Sequence, residues 1–433
     1  MLAADTSIVR YCSVPSRPND CVSPRTYGVE VDRDFRRLWA AVGTSSFGSA
    51  LSAVALPLIA LFSVHASAVE LGALIGVEQV AWLAFGLLAG VWVDRWPRKR
   101  VMVLADIGRA VLVGLLPVAA WTGVLQLWML FAAGLLIGVC NVFDGVAHTA
   151  VLPQLVDSSD LIDANSRINV TDTASSLSGS AVVGPIVAFL GAPIALAIDA
   201  MTFAASATLV SPIDVPPVES PPRTNFRHEL IDGIRIVVRD SLFRTLTLGS
   251  AAFNACTAAQ YVLGFLFLRE LGVPKAWYGV LLAAGGVGGL LGSALLPRLT
   301  RRHGDASLWR VALVAGPTVG LLVPLAQPGI GIVPFAVGTF GLGAAVAMTS
   351  VIGFSARQAL CPPEILGRVA ATTRVLTWGV IPIAAVAGGW LASGVGVRNA
   401  LWIVAACFFA EPLIIRCTRV WRWAGVQASA QTS

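Results

Sequence analysis

Long apolar stretches separated by short polar segments dominate the chain. A helix that crosses the roughly 30 Å hydrocarbon core of a bilayer needs about 20 mainly apolar residues. Twelve stretches meet this requirement, near residues 36–62, 69–92, 101–121, 127–151, 168–190, 193–210, 243–268, 276–297, 308–326, 330–355, 368–391 and 396–416. Lipid offers no hydrogen bonds to an exposed backbone, so stretches of this kind are expected to be helical. The pattern predicts an all-α membrane protein with twelve transmembrane helices.

One connecting segment is much longer than the others and divides the stretches into two sets of six. It is rich in Pro, Arg, Asp and Glu. The start of the chain lacks the apolar core of a signal peptide, so we expect a flexible tail there. The predicted order is a cytoplasmic tail, a six-helix bundle, a cytoplasmic central loop, a second six-helix bundle and a cytoplasmic tail, over residues 1–34, 35–210, 211–242, 243–417 and 418–433.

Short matches between the two halves indicate an internal repeat. Asp160–Ile162 resembles Glu364–Leu366, and Gly191 corresponds to Gly396 at nearly the same offset. Repeats of this kind are common in secondary transporters. Two pseudo-symmetric six-helix bundles are therefore predicted, with chance similarity of short apolar strings as the alternative.

Positive charge is distributed unevenly between the two sides of the predicted membrane protein. If both termini lie in the cytoplasm, the other side holds only Arg269, Lys275 and Arg398 outside the spans, and nearly all other Lys and Arg residues are cytoplasmic. Positively charged loops remain inside during insertion. We expect a multi-pass protein of the cell (inner or plasma) membrane with both termini cytoplasmic.

Composition narrows the functional class. Only 12% of the residues are charged and 56% are hydrophobic, whereas a soluble domain has about 25% charged residues. Basic residues are scattered through loops, which argues against nucleic acid as a partner, and the seven cysteines show no metal-ligand spacing. Neither a phosphate-binding loop nor a common hydrolase motif is present. We expect no cofactor and no metal, and as partners the lipid bilayer, a small molecule and protons, with a monomer as the functional unit.

A distinctive loop follows the second stretch, with Gly90 and Asp94 four residues apart, then Arg95, Arg98 and Lys99. Glycine permits close helix approach, and an acidic group at a helix end can accept bonds from another helix's N-terminus. The basic run suits the cytoplasmic surface and its anionic lipids. An ordinary positive loop would explain the basic run but not the Gly-to-Asp spacing.

This loop resembles the conserved loop of the major facilitator superfamily. A second-half motif, together with segments such as Asp34–Trp39 and Ala197–Phe203, resembles the enterobactin-exporter and macrolide-efflux branch of that superfamily. The residues of the second-half motif are Arg357, Gln358, Gly367, Arg368 and Arg374. The resemblance implies the major facilitator fold and a secondary transporter that is not an enzyme.

The resemblance also implies roles for particular residues. Asp94, Arg95 and Arg98 would gate the cytoplasmic side. Ser180, Gly184 and Pro185 fall where exporters carry an antiporter motif in helix 5, although Ser180 replaces a glycine. Helices 1, 4, 7 and 10 would line the cavity, and the cavity candidates on these helices are Asn141, Asn254, Gln260 and Tyr261.

Ionisable residues within the predicted spans are functional candidates because charge in a bilayer is costly. Asp144 is the leading proton-site candidate, since Asn141 and His148 share its helix face and the imidazole can exchange a proton. The further candidates are Glu78, Asp172 and Asp199. Asp106 and Arg109, spaced i and i+3, are expected to pair with each other. A satisfied contact between helices is the alternative interpretation of the Asp144 group.

Together these observations predict a secondary active transporter for proton-driven efflux of an amphipathic small molecule such as a drug, macrolide or siderophore-like compound. The cavity helices carry no basic residue deep in the membrane, which favours neutral or cationic cargo. Proton-coupled uptake of a neutral or cationic nutrient is the alternative. A polytopic membrane enzyme is a remote alternative, because no catalytic cluster is recognisable.

Overall fold

A computed structural model describes residues 33–93, 95–156, 160–215, 234–360, 363–416 and 418. These residues form helices joined by short connections, and no strand occurs among them. The helices are α1 (Arg33–Phe62), α2 (Ala68–Val93), α3 (Arg98–Trp121), α4 (Leu127–Leu155), α5 (Leu161–Phe189), α6 (Ala192–Val210), α7 (Ser241–Glu270), α8 (Tyr278–His303), α9 (Asp305–Gly320), α10 (Val333–Leu360), α11 (Pro363–Trp378), α12 (Val380–Val395), α13 (Val397–Cys407) and α14 (Ala410–Arg416).

The helices confirm the predicted all-α membrane fold. In the described part of the chain, eleven helical segments are long and apolar enough to span a bilayer. The remaining predicted span is α5, which has 29 residues but is interrupted by many polar side chains. Two of the predicted spans consist of paired helices, α11 with α12 and α13 with α14.

Several helices extend beyond the predicted spans. α4 continues to Leu155 and α8 to His303, because a helix satisfies its own backbone hydrogen bonds and can continue into water. The eleventh span is broken between Trp378 and Val380, where Pro382 has no N–H to bond the carbonyl four residues earlier. Most of the two predicted tails and much of the predicted central loop lie outside the described residues, so the domain boundaries remain predictions.

Equivalent helices pack in the same way in the two halves, which is the expected pseudo-symmetry. In the first half α1 packs on α5 and α6, α2 on α4, and α3 on α4. In the second half α7 packs on α12 and α13, α8 on α10, and α9 on α10. The halves meet where α2 contacts α12 and where α5 contacts α8. The result is two six-helix bundles facing each other across a shared interface.

Large apolar side chains cover the outer surface of the bundles. Phe189, Met201 and Trp390 are at least 70% exposed, a distribution suited to a lipid solvent. For the description below, the basic end of the molecule is the end where α1 begins and α2 finishes, near Arg95. The opposite end is where α1 finishes and α2 begins.

Candidate functional site

A cavity of about 340 Å³ lies between the two bundles. Its wall is formed by α1, α2 and α4 on one side and by α7 and α12 on the other. We call it the central cavity. Most of its wall is apolar, and its polar side chains are Ser52, Glu78, Gln79, Asn254, Thr257 and Tyr261.

Of the side chains that the structure describes, Glu78 is the one charged member of the central cavity lining. Glu78 is half-buried, and among the described residues its carboxylate has neither an ion pair nor a hydrogen bond. The neighbouring Gln79 Oε1 is buried without a partner. Buried polar groups are normally satisfied by protein or water. A cavity with an unpaired carboxylate and apolar walls suits a neutral or positively charged amphipathic molecule.

Three of the four predicted cavity residues line a cavity. Asn254 lies in the central cavity, where its Nδ2 donates to the Thr377 carbonyl at 2.9 Å. Tyr261 donates from its hydroxyl to the Ala53 carbonyl at 3.1 Å, which connects the two bundles. Tyr261 also borders a second cavity of about 360 Å³ between α7, α8 and α10, which Gln260 lines as well. These positions agree with the expectation for α7, although cargo contact itself stays a prediction.

The fourth predicted cavity residue, Asn141, lies elsewhere. Its Oδ1 accepts a hydrogen bond from Arg109 at 2.9 Å. Arg109 also pairs with Asp106 at 2.5 Å and with Asp144 at 2.9 Å. Ser206 of α6 donates to Asp106 at 2.7 Å. These five residues form what we call the Arg109 cluster, in which one guanidinium bridges two carboxylates inside the first bundle.

The Arg109 cluster changes the environment expected for Asp144. The predicted pair of Asp106 with Arg109 is present, but the same guanidinium also holds Asp144, because α3 packs directly against α4. His148 is half-buried, and its Nε2 has no hydrogen-bond partner in the described structure. Asp144 is therefore ion-paired with Arg109, and none of the described contacts joins it to His148. Proton coupling through these two residues stays a prediction.

The two other acidic candidates differ in exposure and partners. Asp172 of α5 is exposed and accepts a hydrogen bond from Ser46 of α1 at 2.5 Å. Asp199 of α6 is 1% exposed. Its carboxylate accepts hydrogen bonds from Ser52 of α1 and from Thr202, the latter at 3.3 Å. Asp199 thus lies inside the first bundle, behind a serine of the central cavity.

The predicted gate motif lies at the basic end. Arg98 donates to the Ala150 carbonyl at 3.2 Å, Arg95 is exposed and Lys99 is half-buried. Asp94 lies outside the described residues, and so does the environment of Gly90. The gating role of the motif therefore stays a prediction.

One member of the second-half motif contacts the other bundle. The guanidinium of Arg374 lies over the rings of Trp82 and Trp378, at 5.4 and 5.0 Å from their centroids. Such an arrangement is a cation–π contact, and it joins α2 to α11. The side chains of the other four members lie outside the described residues, namely Arg357, Gln358, Gly367 and Arg368.

The predicted helix 5 motif lies at the contact of α5 with the second bundle. A side chain at Gly184 would collide with the Ala276 carbonyl, and one at Gly279 would collide with the Ser180 carbonyl. Pro185 lies within α5, next to this contact. Glycine permits this close approach because it has no side chain. The motif residues Ser180 and Gly184 therefore pack the bundles together towards the opposite end.

A second set of contacts closes the opposite end. The Lys275 ammonium lies 4.4 Å from the centre of the Phe62 ring, and Tyr278 meets the same ring edge-on. A side chain at Gly72 of α2 would collide with the Ala385 carbonyl of α12. Described contacts between the bundles are thus found at the opposite end and in the middle of the molecule.

Sequence reasoning missed two residues that the structure places at the interface or the cavity. Ser52 and Trp82 each carry a contact described above, but a serine or tryptophan within an apolar stretch has no distinctive pattern. A weak signal existed for Trp82, which follows Glu78 by one helical turn and shares its face.

Comparison with known proteins agrees with the fold. Residues 30–432 match the family described as transmembrane secretion effector. The uncharacterized MFS-type transporter YfiS of Bacillus subtilis (strain 168) is 26% identical over 86% of this chain and 89% of its own. The multidrug efflux pump Tap of Mycolicibacterium fortuitum is 23% identical over 83% and 89%. Macrolide efflux protein A of Streptococcus pyogenes is 22% identical over 84% and 91%.

Solved structures share the fold at low sequence identity. The nucleoside transporter NupG superposes with a TM-score of 0.73 and 14% identity, covering 89% of this chain and 98% of its own. A bacterial homologue of the iron transporter ferroportin, in an inward-facing state, gives a TM-score of 0.73 with 16% identity over 89% and 98%. The chain belongs to the transmembrane secretion effector family of the major facilitator superfamily, and it is a membrane transporter, not an enzyme.

Proposed function

We propose that this transporter exports an amphipathic neutral or cationic small molecule in exchange for protons. The observation that carries the proposal is the chemistry of the central cavity, which is largely apolar and, in the described part of the chain, has Glu78 as its one charged lining residue. An apolar wall binds the body of an amphipathic molecule, and a carboxylate binds its positive group. Tap and macrolide efflux protein A, whose names describe efflux, support the direction.

Alternating access supplies the transport step. Contacts such as Gly184 with Ala276 and Lys275 with Phe62 hold the bundles together at the opposite end. With the basic end and both termini in the cytoplasm, this arrangement receives cargo from inside the cell. Rocking of the bundles would then break these contacts and open the cavity to the outside.

Glu78 is proposed to couple cargo to protons. One carboxylate can hold either a cationic group or a proton, so protonation from the outside would displace the cargo. A ligand shifts the equilibrium between the inward-open and outward-open states only if it binds these states with different affinities. Cargo and proton binding at one carboxylate would provide such a difference. The remaining predicted proton sites, Asp144, His148 and Asp172, are not required for this scheme.

The test is transport of the fluorescent cation ethidium in inside-out membrane vesicles. We expect a pH gradient to drive ethidium into the vesicles and an uncoupler to abolish this uptake. Glu78→Gln should lower the rate about tenfold, which corresponds to the loss of about 1.4 kcal/mol of interaction. Glu70→Gln is the matched control, since Glu70 is exposed on the same helix and bonded to Ser67.

The direction of transport separates export from nutrient uptake. Ethidium accumulation in inside-out vesicles supports export, whereas proton-driven accumulation only in right-side-out vesicles would support uptake. Equal rates for the Glu78→Gln and wild-type proteins would contradict the role given to Glu78.

A further inference from the structure

Asp199 is a buried carboxyl group without a basic partner within hydrogen-bond distance in the described structure. Its two oxygens accept hydrogen bonds from the hydroxyl groups of Ser52 and Thr202. The unpaired carboxylate form would be costly at a position with 1% exposure. Asp106, the other buried aspartate of this bundle, differs because Arg109 neutralises it.

Ser52 connects Asp199 to the central cavity. The serine belongs to the cavity lining, in the same wall as Glu78, and its hydroxyl donates to Asp199 Oδ2. On the α1 side, Gly48 closes the space around the carboxyl group, because a side chain there would collide with Asp199 Oδ1 and Thr202 Oγ1. The Ser52 hydroxyl therefore forms a direct hydrogen-bonded link between Asp199 and the cavity wall.

Charged groups on two other helices act on Asp199. From α3, Arg109 stacks on Phe203 at 4.5 Å and its charge acts on Asp199, but its N–H groups bond Asp106, Asp144 and Asn141. From α2, the charge of Glu78 interacts with Asp199.

An acidic residue of α5, Asp172, also contacts α1, but at a different place. That residue is bonded to Ser46, about 9 Å along α1 from Ser52 at 1.5 Å per residue. On α1, the residues that face Asp199 are Ser52 and Gly48, and neither carries a charge.

We infer that Asp199 is a second proton-binding site, which exchanges its proton with the central cavity through the Ser52 hydroxyl. The inference rests on the proposed exchange of cargo for protons. A hydronium ion in the cavity gives a proton to Ser52 Oγ and becomes water, as the original Ser52 hydroxyl proton passes to Asp199 Oδ2. The serine is regenerated, the carboxylate becomes a neutral acid, and the reverse steps release the proton.

Two proton sites predict a net charge movement. A singly charged cation that leaves Glu78 is replaced there by one proton, which makes that exchange electrically neutral. A second proton carried by Asp199 would move one net positive charge inward per cycle. Membrane potential would then drive export even without a pH gradient, and about 60 mV would change the accumulation ratio about tenfold.

The experiment uses the full-length protein in liposomes, with ethidium as cargo, equal pH on both sides and a potassium diffusion potential set with valinomycin. We expect wild-type transport to respond to the potential. Ser52→Ala and Asp199→Asn should lose this response and still transport ethidium under a pH gradient. Ser206→Ala should keep the response, because Ser206 bonds the other buried aspartate, Asp106, and does not line the cavity.

Ser52→Thr is the control for a folding defect in Ser52→Ala. It retains the hydroxyl group and should keep the response to membrane potential. If Asp199→Asn does not fold, the comparison of Ser52→Ala with Ser52→Thr decides. A full response to potential in Ser52→Ala, or its loss of pH-driven transport as well, would overturn the inference. Wild-type protein that transports ethidium with pH but not with potential would overturn only this inference, whereas no ethidium transport under either gradient would overturn the proposed function.

Discussion

Arg109 shows how a single side chain organises the interior of the first bundle. Its guanidinium bonds Asp106 on its own helix and Asp144 and Asn141 on the neighbouring helix. Removing one partner of a buried ion pair leaves an uncompensated charge, which is more damaging than losing an exposed pair. Removal of Arg109 would leave the carboxylates of Asp106 and Asp144 uncompensated. The main role of Arg109 is therefore expected to be structural.

We predict that Arg109→Leu destabilises the protein by about 3 kcal/mol or more, the range found when one partner of a buried pair is removed. Arg167→Leu should cost less than about 1 kcal/mol, because Arg167 and its partner Asp163 are 36% and 54% exposed. Thermal unfolding of the detergent-purified variants, compared with wild type, measures both effects. Similar losses in the two variants would show that the Arg109 cluster contributes no more than a surface pair.

At the scale of helices, the packing of α5 against α8 controls one end of the cavity. Backbones approach each other there because Gly184 faces the carbonyl of Ala276, in the short turn just before α8, without a side chain between them. The same contact contains Ser180, whose carbonyl faces Gly279. A bulky residue at this point would separate the two bundles at the opposite end.

We predict that Gly184→Leu opens the central cavity towards the opposite end. In a cysteine-free background, a cysteine introduced at Asn254 would react with a membrane-impermeant maleimide added from that side only when this end is open. The reaction should be faster in Gly184→Leu than in the parent. Gly394→Leu is the control, because Gly394 has no neighbour within 4 Å, and an equal increase in that variant would argue against the closing role of Gly184.

For the whole molecule, a fold of twelve spans would place both termini on one side of the membrane. The connection after α3 and the connection after α8 then lie on opposite sides. Each contains a glycine with positive φ and no neighbour within 4 Å, Gly123 and Gly304 respectively, so both tolerate inserted sequence. The distribution of Lys and Arg predicts that the Gly304 side is cytoplasmic.

We predict that alkaline phosphatase fused after Gly123 is active, because the enzyme requires export, and that the same enzyme fused after Gly304 is inactive. Green fluorescent protein fused to the C-terminus should fluoresce, as expected for a cytoplasmic terminus. Activity at both fusion sites, or at Gly304 alone, would contradict the predicted orientation and with it the proposed direction of transport.

The sequence alone determined the features that depend on one helix at a time. Spans follow from runs of apolar residues, because lipid solvates each helix separately, and the pairing of Asp106 with Arg109 follows from the i and i+3 geometry of a single helix. The scarcity of polar residues within the spans also singled out Glu78 as a proton-site candidate, and the family resemblance indicated Asn254 and Tyr261 as cavity residues.

Tertiary structure decided which helix faces meet. Nothing in the sequence around Asp144 indicates that it pairs with Arg109, which lies on another helix. Ser52 and Asp199 are 147 residues apart and bond each other only because α1 packs against α6. Hydropathy is nearly uniform around a membrane helix, so it does not specify the rotation of the helix about its axis. That rotation determines which polar groups share a hydrogen bond, a cavity or a proton.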